Sequence, residues 1–558
     1  MDIIDSQIIV TAVTAIAVHV FVSHIPEFPP EVYFLSYIFS NAVFFFYLST
    51  GCTTFGVVFF SFLTANTTFL LSTVFLTTVH RLYFSPLTLH EKYQSDVIRV
   101  GPSELSVRNA DAISKIYKGK HLRGDFNQVF NLVGGDTIAT QVNILILLIR
   151  DKSLNGTEVP KYMQRVKGHI DNTVEILHKK AGEPVESGRL FDALVYDVLA
   201  DLTFSKESRL QYGHGSEPTF VDYLHKFVRF GGVVGYMPVL QQLLRYLPTG
   251  ADGHQVNILG HTMITERQAI VPLHKDFYAH FSSSNAFTQE ELKLQSLTVL
   301  TAGADTVSKS LNQIFALLAS RPDIQELIRQ ELKDAFNCEG FPSIEVLRSL
   351  NYLEGVIKEG LRMFPPLFRG SPAIVPKNGI MLETGDFIPP DTQVWIGQYL
   401  IMSDERNFPR AAEFLPERWM KDGNRQENEL VTDRRAWFPF GHGAHSCPGK
   451  SLAMEEIRLI ITYILSEFDV HFEEKGGQPF DYESWAADWN DFFAVEVGEL
   501  YLNSVGAEVL GTLVRIGGYG LAQHSVAVVH WFVVRYAEIF GTQKDSAPEA
   551  SRPEQSTA

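Results

Sequence analysis

Residues Phe440 to Gly449 read FGHGAHSCPG, a decapeptide holding three glycines, two histidines and one of the chain's three cysteines. The other two, Cys52 and Cys338, lie far away in a sequence of 558 residues. Thiols so few and so scattered build neither a disulfide framework nor a zinc cluster, and they suit a reducing compartment. Cys447 therefore needs its own explanation. A thiolate that ligates a metal must be aimed by stiff backbone, and nearby N–H groups set its donor strength. Gly441, Gly443 and Gly449 let the chain turn tightly and let backbone approach a bound group closely. Pro448 removes one N–H and stiffens the exit. The following run, KSLAMEEIRLI, starts a helix whose amino-terminal dipole stabilises a negative sulfur. Taken alone, the decapeptide also fits an inert cysteine in a surface turn.

The spacing Phe440-x-x-Gly443-x-x-x-Cys447-x-Gly449 resembles the haem-ligand loop of the cytochrome P450 monooxygenases. The resemblance implies that Cys447 is the axial ligand of a haem b (iron protoporphyrin IX) and that Phe440 lies beside it. It also implies that His445 stands where the family usually has an arginine, and sometimes a histidine, to meet a haem propionate. Arg369, in FRGSP, matches an arginine with the same task in many members; a solvated arginine is the alternative there.

Three further stretches follow the family's order and spacing. The segment TAGADT (Thr301 to Thr306) lies inside the long helical run LKLQSLTVLTAGADTVSKSLNQIFALLAS. A glycine inside a helix costs about 1 kcal/mol relative to alanine, so something large is expected against it. The stretch resembles the family's oxygen-binding helix, which implies that Ala302 and Gly303 make room for haem and dioxygen. By the same resemblance Asp305 and Thr306 relay protons. A kinked helix with a local Asp-Thr hydrogen bond is the alternative reading of the stretch alone. EGLR (Glu359 to Arg362) sets an acid and a base one helical turn apart, and FLPERW (Phe414 to Trp419) resembles the family segment that adds a second arginine. The implied triad of Glu359, Arg362 and Arg418 is buried, charged and structural rather than catalytic.

Outside these motifs, composition sets the limits. The chain is 45% hydrophobic with a formal net charge of -17, which argues against a nucleic-acid partner. No lysine or arginine precedes Arg81, and three apolar runs, near Ile8 to Ile25, Val32 to Ser49 and Phe55 to Val79, approach bilayer-spanning length. Up to three transmembrane helices are expected in residues 1–80, a buried helical hairpin being the alternative. The acidic start MDIID does not suit a cleavable signal peptide. Basic residues first appear after the third run, so the remainder is expected in the cytosol, with Cys52 at a membrane boundary and the endoplasmic reticulum as the membrane.

Residues 81–505 read as one globular unit, mainly α with a small β portion, and the resemblance implies a cytochrome P450 fold for it. Helical periodicity dominates from about Lys161 to Phe336, with IQELIRQELKDAF (Ile324 to Phe336) as an amphipathic helix. Between Pro365 and Val394 prolines, glycines and short β-prone runs such as TQVWIG take over, and helix returns in KSLAMEEIRLIITYILSEF. Residues 506–558 form an atypical extension: Gly506 to Phe540 is weakly apolar, and the polar end from Thr542 is expected to be disordered.

Three departures accompany the resemblance. The proline-rich hinge and first helix that fungal members carry between SPL and HEKY are missing from HRLYFSPLTLHEKYQSDVIRVGPSEL. The arginine cluster that faces a propionate is replaced by GGDTIATQVNILILLIRDKSLNGTEVP (Gly134 to Pro160), with Arg150 its only arginine. The carboxyl-terminal tail has no counterpart. The resemblance nevertheless implies a membrane-bound monooxygenase of fungal secondary metabolism. It would take electrons from an NADPH-cytochrome P450 reductase and oxidise a hydrophobic terpenoid, indole or polyketide intermediate. Selectivity is expected near Phe126 to Phe130, Val228 to Leu247 and Phe364 to Phe368. A haem-thiolate isomerase or dehydratase and a non-catalytic membrane haem protein are the rival classes; the Asp305-Thr306 pair argues against the first.

Overall fold

The computed structural model describes residues 84–101, 103–117, 124, 154, 158–213, 219–235, 251–283, 287–335, 343–420, 429–443, 446–474, 478–487, 490–491, 494–496 and 498–506. The three apolar runs, Cys52, Cys338, the stretch Phe126 to Phe130, nearly all of Gly134 to Pro160, His445 and the tail lie outside them. Among the described residues no helix is long and apolar enough to cross a membrane.

Helix α1 (Phe84–Tyr93) leads into strands β1 (Val97–Gly101) and β2 (Glu104–Val107) and helix α2 (Ala110–Tyr117). Helices α3 (Val159–Lys179), α4 (Ser187–Phe204), α5 (Phe220–Gly235), α6 (Ala251–Gln268) and α7 (Phe277–Ser282) follow, with β3 (Pro184–Glu186) between α3 and α4. The long α8 (Gln289–Ser320) precedes α9 (Pro322–Ala335), α10 (Ile344–Ser349) and α11 (Asn351–Met363). Short strands β4 (Ala373–Ile374), β5 (Ile380–Met381), β6 (Phe387–Ile388) and β7 (Gln393–Trp395) come next, and then α12 (Gln398–Met402). Helix α13 (Lys450–Glu467) is followed by β8 (Phe468–Phe472), α14 (Tyr482–Ala487), β9 (Asn490–Asp491), β10 (Val495–Glu496) and β11 (Tyr501–Gly506). The mainly helical body with a small β portion expected from the sequence is thus what the structure shows.

Helix α8 is the spine. A capping box starts it: Thr288 accepts from the Glu291 N–H while Glu291 reaches back to the Thr288 N–H. Its burial is nearly all-round, because α4 packs along it and α7, α11 and α13 cover other faces. Leu300, Leu311 and Leu318 are fully buried, each contributing about 1.5–3 kcal/mol of transfer free energy. The amphipathic segment after Pro322 buries Ile324, Ile328 and Leu332 and exposes its charges, as the spacing predicts.

The β portion stands to one side. Its main sheet has the order β1-β2-β7-β4, with β2 and β7 parallel and the other pairs antiparallel. A second sheet has the order β3-β11-β8, in which β11 pairs antiparallel with both neighbours. One expectation shifts by a residue: helix α13 stops at Glu467. Phe468 is extended (φ -133°, ψ 145°), fully buried and already part of β8. Two large apolar cores result among the described residues, and the chain leading to the cysteine loop passes from one to the other, with Phe438 in the sheet-side core and Phe440 against the helical one.

Candidate active site

The loop from Gly441 to Gly449 is held by its own backbone. The Gly441 N–H donates to Phe438 O at 2.8 Å and the Cys447 N–H to Phe440 O at 2.7 Å. Gly441 and Gly443 have φ of 68° and 71°, in the left-handed region that favours glycine. At Gly443 a second constraint applies, because a Cβ there would overlap the Tyr117 carbonyl oxygen at the end of α2. Tyr117 in turn donates its hydroxyl to Ser371 O at 2.8 Å, joining the loop to the segment that carries Arg369. The Cys447 side chain is exposed, two residues before the cap of α13. A Cβ added at Gly449 would stand 3.8 Å from its sulfur, an ordinary van der Waals contact. Phe440 faces Trp437 edge-on at 6.4 Å, and the Lys450 ammonium sits 5.8 Å from the Phe440 ring centre.

Behind the loop stands the charged triad. Arg362 donates to both oxygens of Glu359 at 2.9 Å, and Arg418 Nε donates to Glu359 Oε1 at 3.1 Å. All three side chains are buried. Two guanidinium groups against one carboxylate leave a positive excess, which backbone oxygens absorb. Arg362 donates to Met402 O and Ala411 O, and Arg418 to Pro409 O, Leu430 O and Arg410 O. Burial pulls the Arg418 guanidinium below its ordinary value, with Glu359 opposing that shift. Trp419 Nε1 also donates to Glu359, and Trp437 Nε1 donates to Lys358 O, so the triad is tied to the aromatic residues leading to Cys447.

On α8 the four residues named from TAGADT separate by face. Ala302 is exposed at the middle of an otherwise buried helix, and Thr306 is half-buried with its hydroxyl donating to the Ala302 carbonyl at 2.8 Å. Gly303 looks the other way: a Cβ there would lie 2.6 Å from Leu199 Cδ1, so close packing with α4 is one reason for the glycine. Asp305 is buried and accepts from Lys309 Nζ at 2.5 Å, with His225 Nε2 3.5 Å from the same oxygen. The structure therefore does not join the acid to the alcohol; neighbours in sequence, they have different partners. Arg369 is half-buried with its guanidinium 5.3 Å from the centre of the Trp395 ring, whose Nε1 donates to Glu104. His445 lies outside the described residues.

The donor set fits a haem. A single exposed sulfur at a helix amino terminus is a poor site for a bare metal ion, and among the described residues no group of three His, Cys, Asp or Glu side chains is placed to hold one. One thiolate suffices where a macrocycle fills four positions around iron. The sequence reading missed Lys309 and His225. Lys309 stands four residues after Asp305, a spacing that signals a helical ion pair, whereas His225 meets Asp305 only through the packing of α5 and carries no local signal.

A family model described as Cytochrome P450 matches residues 137–489. The chain is 29% identical over 405 residues to the cytochrome P450 monooxygenase nodW of Hypoxylon pulicicidum, covering 71% of this chain and 73% of that one. It is 27% identical over 419 residues to the cytochrome P450 monooxygenase efuB of Hormonema carpetanum, covering 70% and 81%. Among solved structures, a crystal structure of a cytochrome P450 superposes with a TM-score of 0.62 at 17% identity, covering 75% of this chain and 93% of that one; it speaks to the fold.

Proposed function

This chain belongs to the cytochrome P450 family, and from that premise we propose the activity its haem monooxygenase chemistry serves: oxidation of a hydrophobic intermediate of fungal secondary metabolism. The intermediate is a terpenoid, an indole or a polyketide, and the electrons come from NADPH through a cytochrome P450 reductase. Relatives in fungi, each named a cytochrome P450 monooxygenase, support the reaction class. The observation that carries the reading is the exposed Cys447 thiol on a glycine-shaped loop at the start of α13.

When bound, haem would supply the oxygen activation, with the Cys447 thiolate as its electron-rich protein donor. The chain's own residues do the rest. Cys447 holds the iron, and the amino terminus of α13 stabilises its negative charge. Arg369, together with His445, offers positive charge to the propionates. Ala302 leaves space beside Thr306, and Thr306 and Asp305 hold and move protons. The proposed organisation places membrane spans within 1–80, the catalytic domain at 81–505 facing the cytosol from the endoplasmic reticulum, and an extension at 506–558.

Reduced carbon-monoxide difference spectra of membranes containing the full chain test the assignment. The wild type is expected to show the long-wavelength Soret band of thiolate ligation, and Cys447→Ser to lose it while remaining in the membrane fraction. A band that survives the substitution assigns the ligand elsewhere.

A further inference from the structure

Helix α13 begins against the usual rule. Its first residue, Lys450, is a cation in a first turn that holds no acid, and its cap, Gly449, supplies no side-chain bond. The amino terminus of a helix carries partial positive charge and favours carboxylates, so a lysine at this end is locally unfavourable. A local rule broken without local compensation points to function. The charge stands three residues after Cys447.

The ammonium is also held in place. Lys450 Nζ lies 5.7 Å from the centre of the Trp437 ring and 5.8 Å from that of Phe440, both within the range of a cation on an aromatic ring. The two rings meet edge to face at 6.4 Å, and Trp437 Nε1 donates to Lys358 O, which fixes the platform. Phe440 is joined to the cysteine, its carbonyl accepting the Cys447 N–H at 2.7 Å. Among the described residues no carboxylate pairs with Lys450, whereas Lys167, Lys179 and Lys309 meet Asp171, Glu175 and Asp305. An ion pair cancels most of a lysine's field. An aromatic platform holds the ammonium and leaves its charge unneutralised.

From this arrangement we infer that Lys450, acting through Cys447, is a positioning residue that fixes a positive charge near the thiolate and raises the reduction potential of the haem. The inference rests on Cys447 as the axial ligand. The step concerned is one electron: it enters from the reductase, ferric haem becomes ferrous, and no bond forms or breaks. That electron adds negative charge to the site, so a nearby cation favours the reduced state. Trp437 and Phe440 decide where the cation stands, because the flexible four-carbon stem of a lysine otherwise swings into solvent.

The test is a midpoint potential, read by dye-mediated dithionite titration of the purified full chain with no reductase added, so contact with a redox partner cannot move it. For Lys450→Met the carbon-monoxide Soret band is expected to stay, while the equilibrium constant for one-electron reduction falls about two- to tenfold, tenfold being about 59 mV. The difference from wild type should shrink as salt rises, as befits an exposed charge. Lys450→Arg keeps the charge and stacks on the rings, so it should restore the wild-type potential. Trp437→Phe keeps an aromatic face and should leave the potential near wild type, whereas Trp437→Leu removes the face and should lower it. An unchanged potential in Lys450→Met, with the band intact, overturns the inference alone. An equal loss in Lys450→Arg overturns it too, because shape and not charge is then the cause. A band that survives Cys447→Ser overturns the ligand assignment beneath it.

Discussion

The Thr306 hydroxyl is occupied by the carbonyl of Ala302, one turn back in α8. Such a bond bends a helix slightly and keeps the hydroxyl oxygen available as an acceptor. Thr306→Ala removes the oxygen without touching the core, so haem should remain bound while reducing equivalents are diverted to peroxide; fully coupled turnover in the variant contradicts the role. A second residue acts through burial. Glu456 on α13 is buried, its Oε1 has no partner among the described residues, and burial raises its carboxyl to about 8. The unfolded chain releases this proton near the ordinary glutamate value while the folded protein retains it. Stability is therefore lost as pH rises from the ordinary range through about 8, by up to about 1.4 kcal/mol per pH unit. Glu456→Gln should flatten that decline and raise the melting temperature at pH 8, with little difference near pH 4.5; unfolding curves of the two proteins at both pH values check it. At this scale the sequence was partly readable. The motif spacing named Cys447 and Thr306, but it could not show that Asp305 turns to Lys309 and His225, because that choice depends on how α5 packs.

Between elements, the connections are stiff where the cysteine loop is made. Gly443 combines a left-handed φ with a backbone carbonyl where its Cβ would be, and a carbonyl oxygen cannot move aside as a flexible side chain can. Gly443→Ala is expected to displace α2 from the loop, at about 1–3 kcal/mol for the backbone conformation alone. Haem content of the purified variant should fall, and full occupancy would show that the loop tolerates the shift. The triad works at the same level, joining α11 to the one-turn 3-10 helix Pro416–Trp419. Glu359→Gln leaves two buried guanidinium groups without their carboxylate, a loss of about 3–5 kcal/mol. The melting temperature should drop sharply, and a change of only a degree or two would mean that the backbone carbonyls alone hold the arginines. This triad was legible from EGLR and FLPERW. The backbone carbonyl oxygens that complete it were not, since backbone acceptors leave no trace in side-chain identity.

Across the whole molecule, segments about 300 residues apart meet in the sheet β3-β11-β8. Val185 opposes Leu502, and Leu502 also opposes Phe472, so the last described strand closes the body. A chain ending after Gly506 should keep the thiolate Soret band, whereas one ending after Leu500 loses β11 and should lose haem and stability together. Equal spectra from the two truncations would show that the sheet is dispensable. The mainly helical architecture was readable because helical periodicity persists over long runs. The sheet was not, because its strands are three to six residues long and β3 finds β11 about 300 positions away.

That pairing sets a clock on synthesis. The sheet neighbour of β3 is β11, which leaves the ribosome about 300 residues later. At roughly 5–20 residues per second the interval is on the order of 15–60 s. Throughout that time the nascent chain carries an open strand edge at Pro184–Glu186, at risk of pairing with a foreign segment. Slowing translation downstream of that strand should therefore increase the aggregated fraction, and co-expressed chaperones should recover it.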